Sequence, residues 1–132
     1  MFDVVEHYSY EYHGLSNQNE FLSERFGFPY LNGDQCRNLL ERKLFLEKEI
    51  LRIVNDEKLS QTYKDWLDLI DRGRNEMIRN IYGFADLDKY DRALFLVGAE
   101  HRKPIMDKIP KFEEINKQEL NWSFNYSMDI NR

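Results

Sequence analysis

The chain has 132 residues, 42% of them apolar and 14% aromatic, which suits one compact domain burying about 70% of its unfolded surface and excludes a disordered chain. Nineteen Lys and Arg against 24 Asp and Glu give a net charge of -5; the basic residues are interspersed among acids, so no nucleic-acid partner is expected. No apolar run approaches the roughly 20 residues that span a bilayer, so no membrane partner is expected either.

A lone cysteine, Cys36, has no second cysteine to pair with inside the chain. The opening "MFDVVEHYSYEYHG" has neither a basic nor an apolar leader region, and the two features together point to the cytoplasm. Over residues 4–13, Tyr8, Tyr10 and Tyr12 recur at every second position between His7, Ser9, Glu11 and His13. That two-residue period predicts a strand with an aromatic face and a polar face. Residues 20–25 add one short helix. "FGFPYLNGDQ", punctuated by Gly27, Pro29, Asn32 and Gly33, reads as a loop or a pair of turns.

Asp34 is placed to cap the next helix, because its carboxylate can accept the free N–H groups of a first turn. Leu39, Leu40, Leu44, Leu46, Ile50, Leu51, Ile53 and Val54 then recur at spacings of about three and four, an amphipathic helix of about six turns. Ser60 caps a second helix, whose stripe is Tyr63, Trp66, Leu67, Ile70, Met77, Ile78 and Ile81, until Gly83 breaks it. Two long helices joined by about four residues suggest an antiparallel hairpin.

"ALFLVGA" is the one continuous apolar run, and its length and glycine boundary favour a strand buried on both faces. Residues 101–109 form a short helix that tolerates Pro104 in its first turn and ends at Pro110. In "ELNWSFNYSMDI" the large apolar residues Leu120, Trp122, Phe124 and Tyr126 alternate with polar ones, a second half-exposed strand.

The corner "GAEH" has chemical potential. A buried strand delivering the chain to a helix N-terminus exposes free N–H groups there. Gly98 lets a backbone approach, His101 is a candidate general base or metal ligand, and Glu100 adds an anionic oxygen. The plainer reading is that Gly98 makes the turn and His101 merely starts the helix. On the second helix, setting Ile70 at zero and advancing about 100° per residue puts Arg74 near +40°, inside the apolar stripe. A guanidinium aimed there needs a carboxylate, an anion or carbonyl groups as partners, unless its methylenes carry the head out to water. Asn80 sits on the stripe's border. His7, Glu11 and His13 share a face of the first predicted strand but spread over about 14 Å or more, too far for one ion, so they read as a solvated face.

Two segments together, "RGRNEMIRNI" and "RALFLVGAEHR", resemble the C-terminal part of the superfamily of TraB-like, Tiki-like and erythromycin-esterase-like proteins. There an R-x-x-M-x-x-N-I helix precedes a strand ending in G-x-x-H. The resemblance covers about 35 of the 132 residues and maps onto Arg74, Asn80, Gly98 and His101. It implies that Arg74 and His101 line one pocket with Glu100 beside them, Gly98 and Asn80 contributing to binding. It also implies a histidine acting in hydrolysis as base or as ligand of a divalent metal. The N-terminal G-x-H motif of such proteins is missing, since "YHG" at residues 12–14 has the wrong order. The chain thus resembles the C-terminal half of such a domain, truncated, separately encoded, or paired with another chain.

The expected fold is therefore α/β or α+β: a single domain, residues 1–132, with a long helical hairpin on a small mixed sheet, resembling half of a TraB/Tiki-like domain. The expected function is a hydrolase remnant or half-domain with a His/Arg pocket, inactive alone. The alternative is a noncatalytic homodimeric interaction protein in which Arg74 is a structural ion pair. Both readings expect a homo-oligomer or a complementary chain.

Overall fold

A computed structural model describes residues 2–87 and 91–124. Every regular element among them is a helix: α1 (Phe2–Phe26), α2 (Phe28–Leu31), α3 (Asp34–Val54), α4 (Glu57–Leu87) and α5 (Ala99–Asn116). The expected mixed sheet, and with it the α/β or α+β class and the likeness to half of a TraB/Tiki-like domain, is overturned. The chain divides into two compact units, one running to Lys64 and including Phe124, the other spanning Asp65–Ser123.

In the first unit, residues 4–13 lie inside α1 rather than in a strand. The reason is visible in the spacing. Val5, Tyr8, Tyr12, Leu15, Asn19 and Leu22, three or four residues apart, are half-buried, with Ser9, Glu11, Ser16 and Ser23 beside them, which is one face of a helix. Tyr8 and Tyr12 are four apart and satisfy both a helical and a strand period. Tyr10 separates the two, and it is 82% exposed. The short helix expected at residues 20–25 is the end of α1.

Gly27, at φ 58°, turns the chain out of α1; this left-handed conformation is one that glycine adopts without strain. One helical turn, α2, leads to Gly33 and α3. Asp34 does not cap α3. Gly33 occupies the cap position with no side-chain bond, and Asp34 pairs instead with Arg37 at 2.9 Å. α1 packs on α3, and α2 on both. The pairing is antiparallel: Glu11 and Tyr12 meet Arg42 and Glu47, while Asn19 lies by Cys36. Tyr30, Cys36, Leu39 and Leu46 are the buried residues of this unit.

Asn55, left-handed at φ 53°, ends α3. α4 then starts three residues before Ser60, and Asp56 Oδ1 accepts the Leu59 N–H at 2.8 Å, so Asp56 rather than Ser60 serves as the cap. α4 also runs through Gly83 to Leu87. One glycine costs a helix only about 1 kcal/mol relative to alanine, and the buried Tyr82 beside it anchors the turn.

In the second unit, Ile78 and Tyr82 of α4 and Ile105 and Ile109 of α5 are buried, and Phe112 lies against the Tyr82 ring, centroids 4.7 Å apart. Residues 92–98 contain neither helix nor strand. Far from being buried on both faces, Leu94 is 69% exposed, Phe95 37%, Leu96 74% and Val97 36%. A strand needs neighbours to bond its backbone, and both intended neighbours fail: residues 4–13 are helical, and residues 119–124 make no ladder. Those latter residues still alternate, with Leu120, Trp122 and Phe124 half-buried and Asn121 and Ser123 exposed; Tyr126 lies outside the described residues. α5 is longer than expected, with Pro104 and Pro110 both inside it, and Lys117, left-handed at φ 50°, ends it.

Candidate functional site

Arg74, His101 and Glu100 come together between α4 and α5. The origin of the contact is a proline. Because α5 starts at Ala99, Pro104 sits in its second turn, where a residue's N–H would normally bond the carbonyl four residues back. That carbonyl belongs to Glu100, and proline has no N–H to give it. Arg74 supplies the donor: its Nη2 donates to Glu100 O at 3.3 Å, while its Nε–H donates to His101 Nδ1 at 3.0 Å.

The Arg74 hydrogen bond selects a tautomer of the neutral imidazole. With Nδ1 accepting, the proton of the neutral ring is on Nε2, which lies 3.6 Å from Glu100 Oε1. A general base needs a free lone pair, and here Arg74 holds it. His101 therefore acts as an acceptor that satisfies a half-buried guanidinium. It can become a base only if Arg74 turns away. Burial lowers the Arg74 pKa, opposed by the nearby charges of Asp71 and Glu100; an arginine nonetheless stays protonated.

Gly98 precedes the helix at φ -57°, ψ 144°, a conformation open to any residue. Its carbonyl accepts the His101 N–H at 3.0 Å. A Cβ here would stand 2.7 to 2.9 Å from the Glu100 carboxylate, which folds back over the glycine, but that carboxylate ends a largely exposed side chain that can swing aside, so glycine is not required. Asn80, the remaining residue of the expected pocket, is exposed on α4 and has no part in this cluster. Beside it, Lys108 Nζ reaches Asp71 Oδ1 at 2.6 Å, a bond that holds the Asp71 carboxyl below its usual pKa.

The donors do not fit a divalent metal. A cation on His101 Nδ1 would have to displace the positively charged Arg74, 3.0 Å away, and among the described residues no three His, Cys, Asp or Glu side chains gather as a ligand set. His7, Glu11 and His13 likewise form no such set. Glu11 instead accepts from Arg42 Nε at 2.7 Å and Nη2 at 3.0 Å.

Two further clusters escaped the sequence reading. In the first unit Glu47 accepts from Tyr12 Oη at 2.7 Å and Tyr63 Oη at 2.9 Å. These three, with Ile50 and Leu51, line an open depression of about 220 Å³. In the second unit Tyr82 donates to Glu113 and accepts from Trp122 Nε1 at 3.0 Å, and Glu113 also accepts the Leu120 N–H at 3.1 Å. Tyrosines four residues from apolar neighbours hint at such half-buried hydroxyls, but their carboxylate partners lie on other helices and leave no local trace.

No helix among the described residues is long and apolar enough to cross a membrane. No protein-family model matches this chain, and no curated protein and no solved structure matches it, so nothing in these comparisons backs the TraB or erythromycin-esterase terms.

Proposed function

We propose that this chain is a noncatalytic helical module that works by associating with a second copy of itself. The observation that carries this reading is the run Leu94, Phe95, Leu96 and Val97, four consecutive large apolar residues that are each at least 36% exposed. Scattered apolar residues on a surface are ordinary, whereas a contiguous exposed group marks an interaction surface. Arg74 and His101 then serve this module structurally, by holding the start of α5, and with it the end of the apolar run, to α4.

Sedimentation velocity over a range of concentrations tests the reading. The expected result is a reversible monomer–dimer equilibrium, and a single monomeric species at every concentration overturns it.

A second reading is favoured by one contact, the Arg74–His101 hydrogen bond. On that reading the pair is half of a hydrolytic site, inactive until other groups complete it and draw Arg74 off Nδ1, which frees His101 as base and Arg74 to hold a substrate oxygen. Ester hydrolysis by the assembled protein, lost in both His101→Ala and Arg74→Ala, is its expected signature. Assembled protein with no such activity above that of the His101→Ala variant rejects it.

A further inference from the structure

We propose that the Arg74–His101 contact is an acid-released latch, which ties the first turn of α5 to α4 while the imidazole is neutral and opens when the ring takes up a proton. The inference stands apart from the self-association reading, because both partners belong to one unit of one chain, Asp65–Ser123.

The chemistry of the bond dictates this behaviour. Arg74 Nε–H donates to His101 Nδ1 at 3.0 Å, and a guanidinium can only donate. Nδ1 accepts through the lone pair of a neutral ring, whereas both nitrogens of a protonated ring are donors. Proton uptake therefore replaces a hydrogen bond by opposed N–H groups and by like charges in contact. A second tie between the same helices responds differently. Lys108 Nζ meets Asp71 Oδ1 at 2.6 Å, and that bond holds the Asp71 carboxyl below the ordinary carboxylate range, so it keeps its charges at mildly acid pH.

The groups around the ring decide the sign. From α4, Arg74 touches it, and Asp71 acts on Arg74 from behind while bonded to Lys108. On α5, Lys103 is engaged by Asp107 at 3.2 Å, Arg102 is next in the chain and adds positive charge, and residues 93–99 before the ring carry no ionisable side chain. Glu100 alone favours a charged imidazole, with Oε1 3.6 Å from Nε2. The Glu100 side chain is 61% exposed, against 22% for His101, so water screens that attraction, while the repulsion from Arg74 acts inside the half-buried contact. Repulsion wins. As the guanidinium leaves, the Glu100 carbonyl that Pro104 cannot serve passes to water, and the start of α5, with the exposed residues 94–97 just before it, is freed from α4.

The pH window follows from linkage. A histidine in an unfolded chain takes up its proton near pH 6.5, but the latched ring has no free lone pair for it. The unfolded chain thus binds more protons, so the latch's contribution is complete above about pH 7.5 and falls as pH drops below about 6.5.

Nuclear magnetic resonance and urea unfolding test the latch. In the 15N-labelled protein the Arg74 Nε–H signal, assigned by its absence in Arg74→Met, is expected to be sharp at pH 7.5. It is expected to vanish by pH 5 in step with protonation of the His101 ring, assigned through His101→Gln. Absence of the signal at pH 7.5, its persistence beside a protonated His101, or a ring still neutral at pH 5 overturns the proposal. Unfolding at one protein concentration is followed by the fluorescence of Trp66 and Trp122, both in this unit. Between pH 7.5 and pH 5 the wild-type unfolding constant is expected to rise at least about fivefold more than that of His101→Gln or Arg74→Met. His7 and His13 titrate in all of these proteins and cancel. Equal rises, or larger rises in the variants, overturn the latch. A wild-type protein that is always monomeric overturns self-association and leaves these expectations unchanged.

Discussion

If Arg74 replaces the donor that Pro104 cannot supply, then Pro104→Ala should make part of Arg74 dispensable. The relevant perturbation is a double-mutant cycle of Arg74→Met, which keeps most of the side-chain stem, and Pro104→Ala. In the wild-type background Arg74→Met removes two hydrogen bonds, to His101 Nδ1 at 3.0 Å and to Glu100 O at 3.3 Å. At about 1 kcal/mol net for each, below the roughly 1.5–3 kcal/mol of a charged donor because the site is half-exposed, the loss is about 2 kcal/mol. In the Pro104→Ala background the new N–H bonds the Glu100 carbonyl within the helix, and only the bond to His101 remains to be lost. The cost of Arg74→Met then falls to about 1 kcal/mol, a coupling of about 1 kcal/mol and well inside the range resolved by such cycles. Both tryptophans, Trp66 and Trp122, belong to the unit spanning Asp65–Ser123, so urea unfolding followed by tryptophan fluorescence reports on the unit that holds the contact. Equal costs of Arg74→Met in the two backgrounds, within about 0.4 kcal/mol, would refute the reasoning.

Two further outcomes follow from the half-buried hydroxyls. Tyr12, Tyr30 and Tyr82 each have a pKa pushed up to about 12, by burial first, then by the Glu47 hydrogen bond for Tyr12, the Cys36 charge for Tyr30 and the Glu113 hydrogen bond for Tyr82. Their pKa values are higher folded than the roughly 10 of an unfolded chain, so their stabilising contribution is complete below about pH 10 and lost as pH rises toward about 12. Phenolate absorbance should show at least these three of the eight tyrosines ionising late, together with loss of helical circular dichroism; simultaneous ionisation of all eight near pH 10 in a folded protein counts against the buried-hydroxyl picture. Glu47→Gln is expected to destabilise the first unit by about 1–2 kcal/mol, since a neutral amide accepts more weakly from Tyr12 and Tyr63 than a carboxylate does, and to bring the Tyr12 titration down toward its ordinary value. Urea unfolding by circular dichroism and the same absorbance titration check it, and an unchanged midpoint would show that Glu47 is not a tie between these elements.

What was legible in the sequence was whatever a single segment decides. The apolar spacing over α3 and α4 belongs to one helix at a time, and so does the angle that puts Arg74 on the apolar stripe. Residues 4–13 were ambiguous because Tyr8 and Tyr12 fit two periods, and the decisive residues, Leu15, Asn19 and Leu22, lie beyond the strand-length window. The helix boundaries drifted for a local reason: Asp34 and Ser60 have capping side chains, but Gly33 and Asp56 occupy the positions where the chain turns. The choice of Glu100 as a partner of Arg74 was hidden because it depends on where α5 begins. A start at His101 puts Pro104 in the first turn, where a missing N–H costs nothing, whereas a start at Ala99 leaves a carbonyl that something else must satisfy.

The apolar run at residues 93–97 shows the same limit of local information. Its composition asks for a strand, and a strand is a property of at least two segments, because each leaves half of its backbone groups to a neighbour. Both segments that the sequence offered as neighbours have other commitments: one is the face of α1 that packs on α3, and the other holds Trp122 to Tyr82. A composition that favours a strand, in a position where no part of the described chain forms one, leaves this run without the neighbour its residues suit. Arg74 then matters at one remove, because by pinning His101 and Glu100 to α4 it fixes the last residues of the run, and a dimer through this segment should weaken when Arg74 is replaced even though its side chain touches no residue of the interface. Measuring the dissociation constant of the proposed dimer for Arg74→Met against wild type reads that link, and an unchanged value would show that the staple does not support the apolar run.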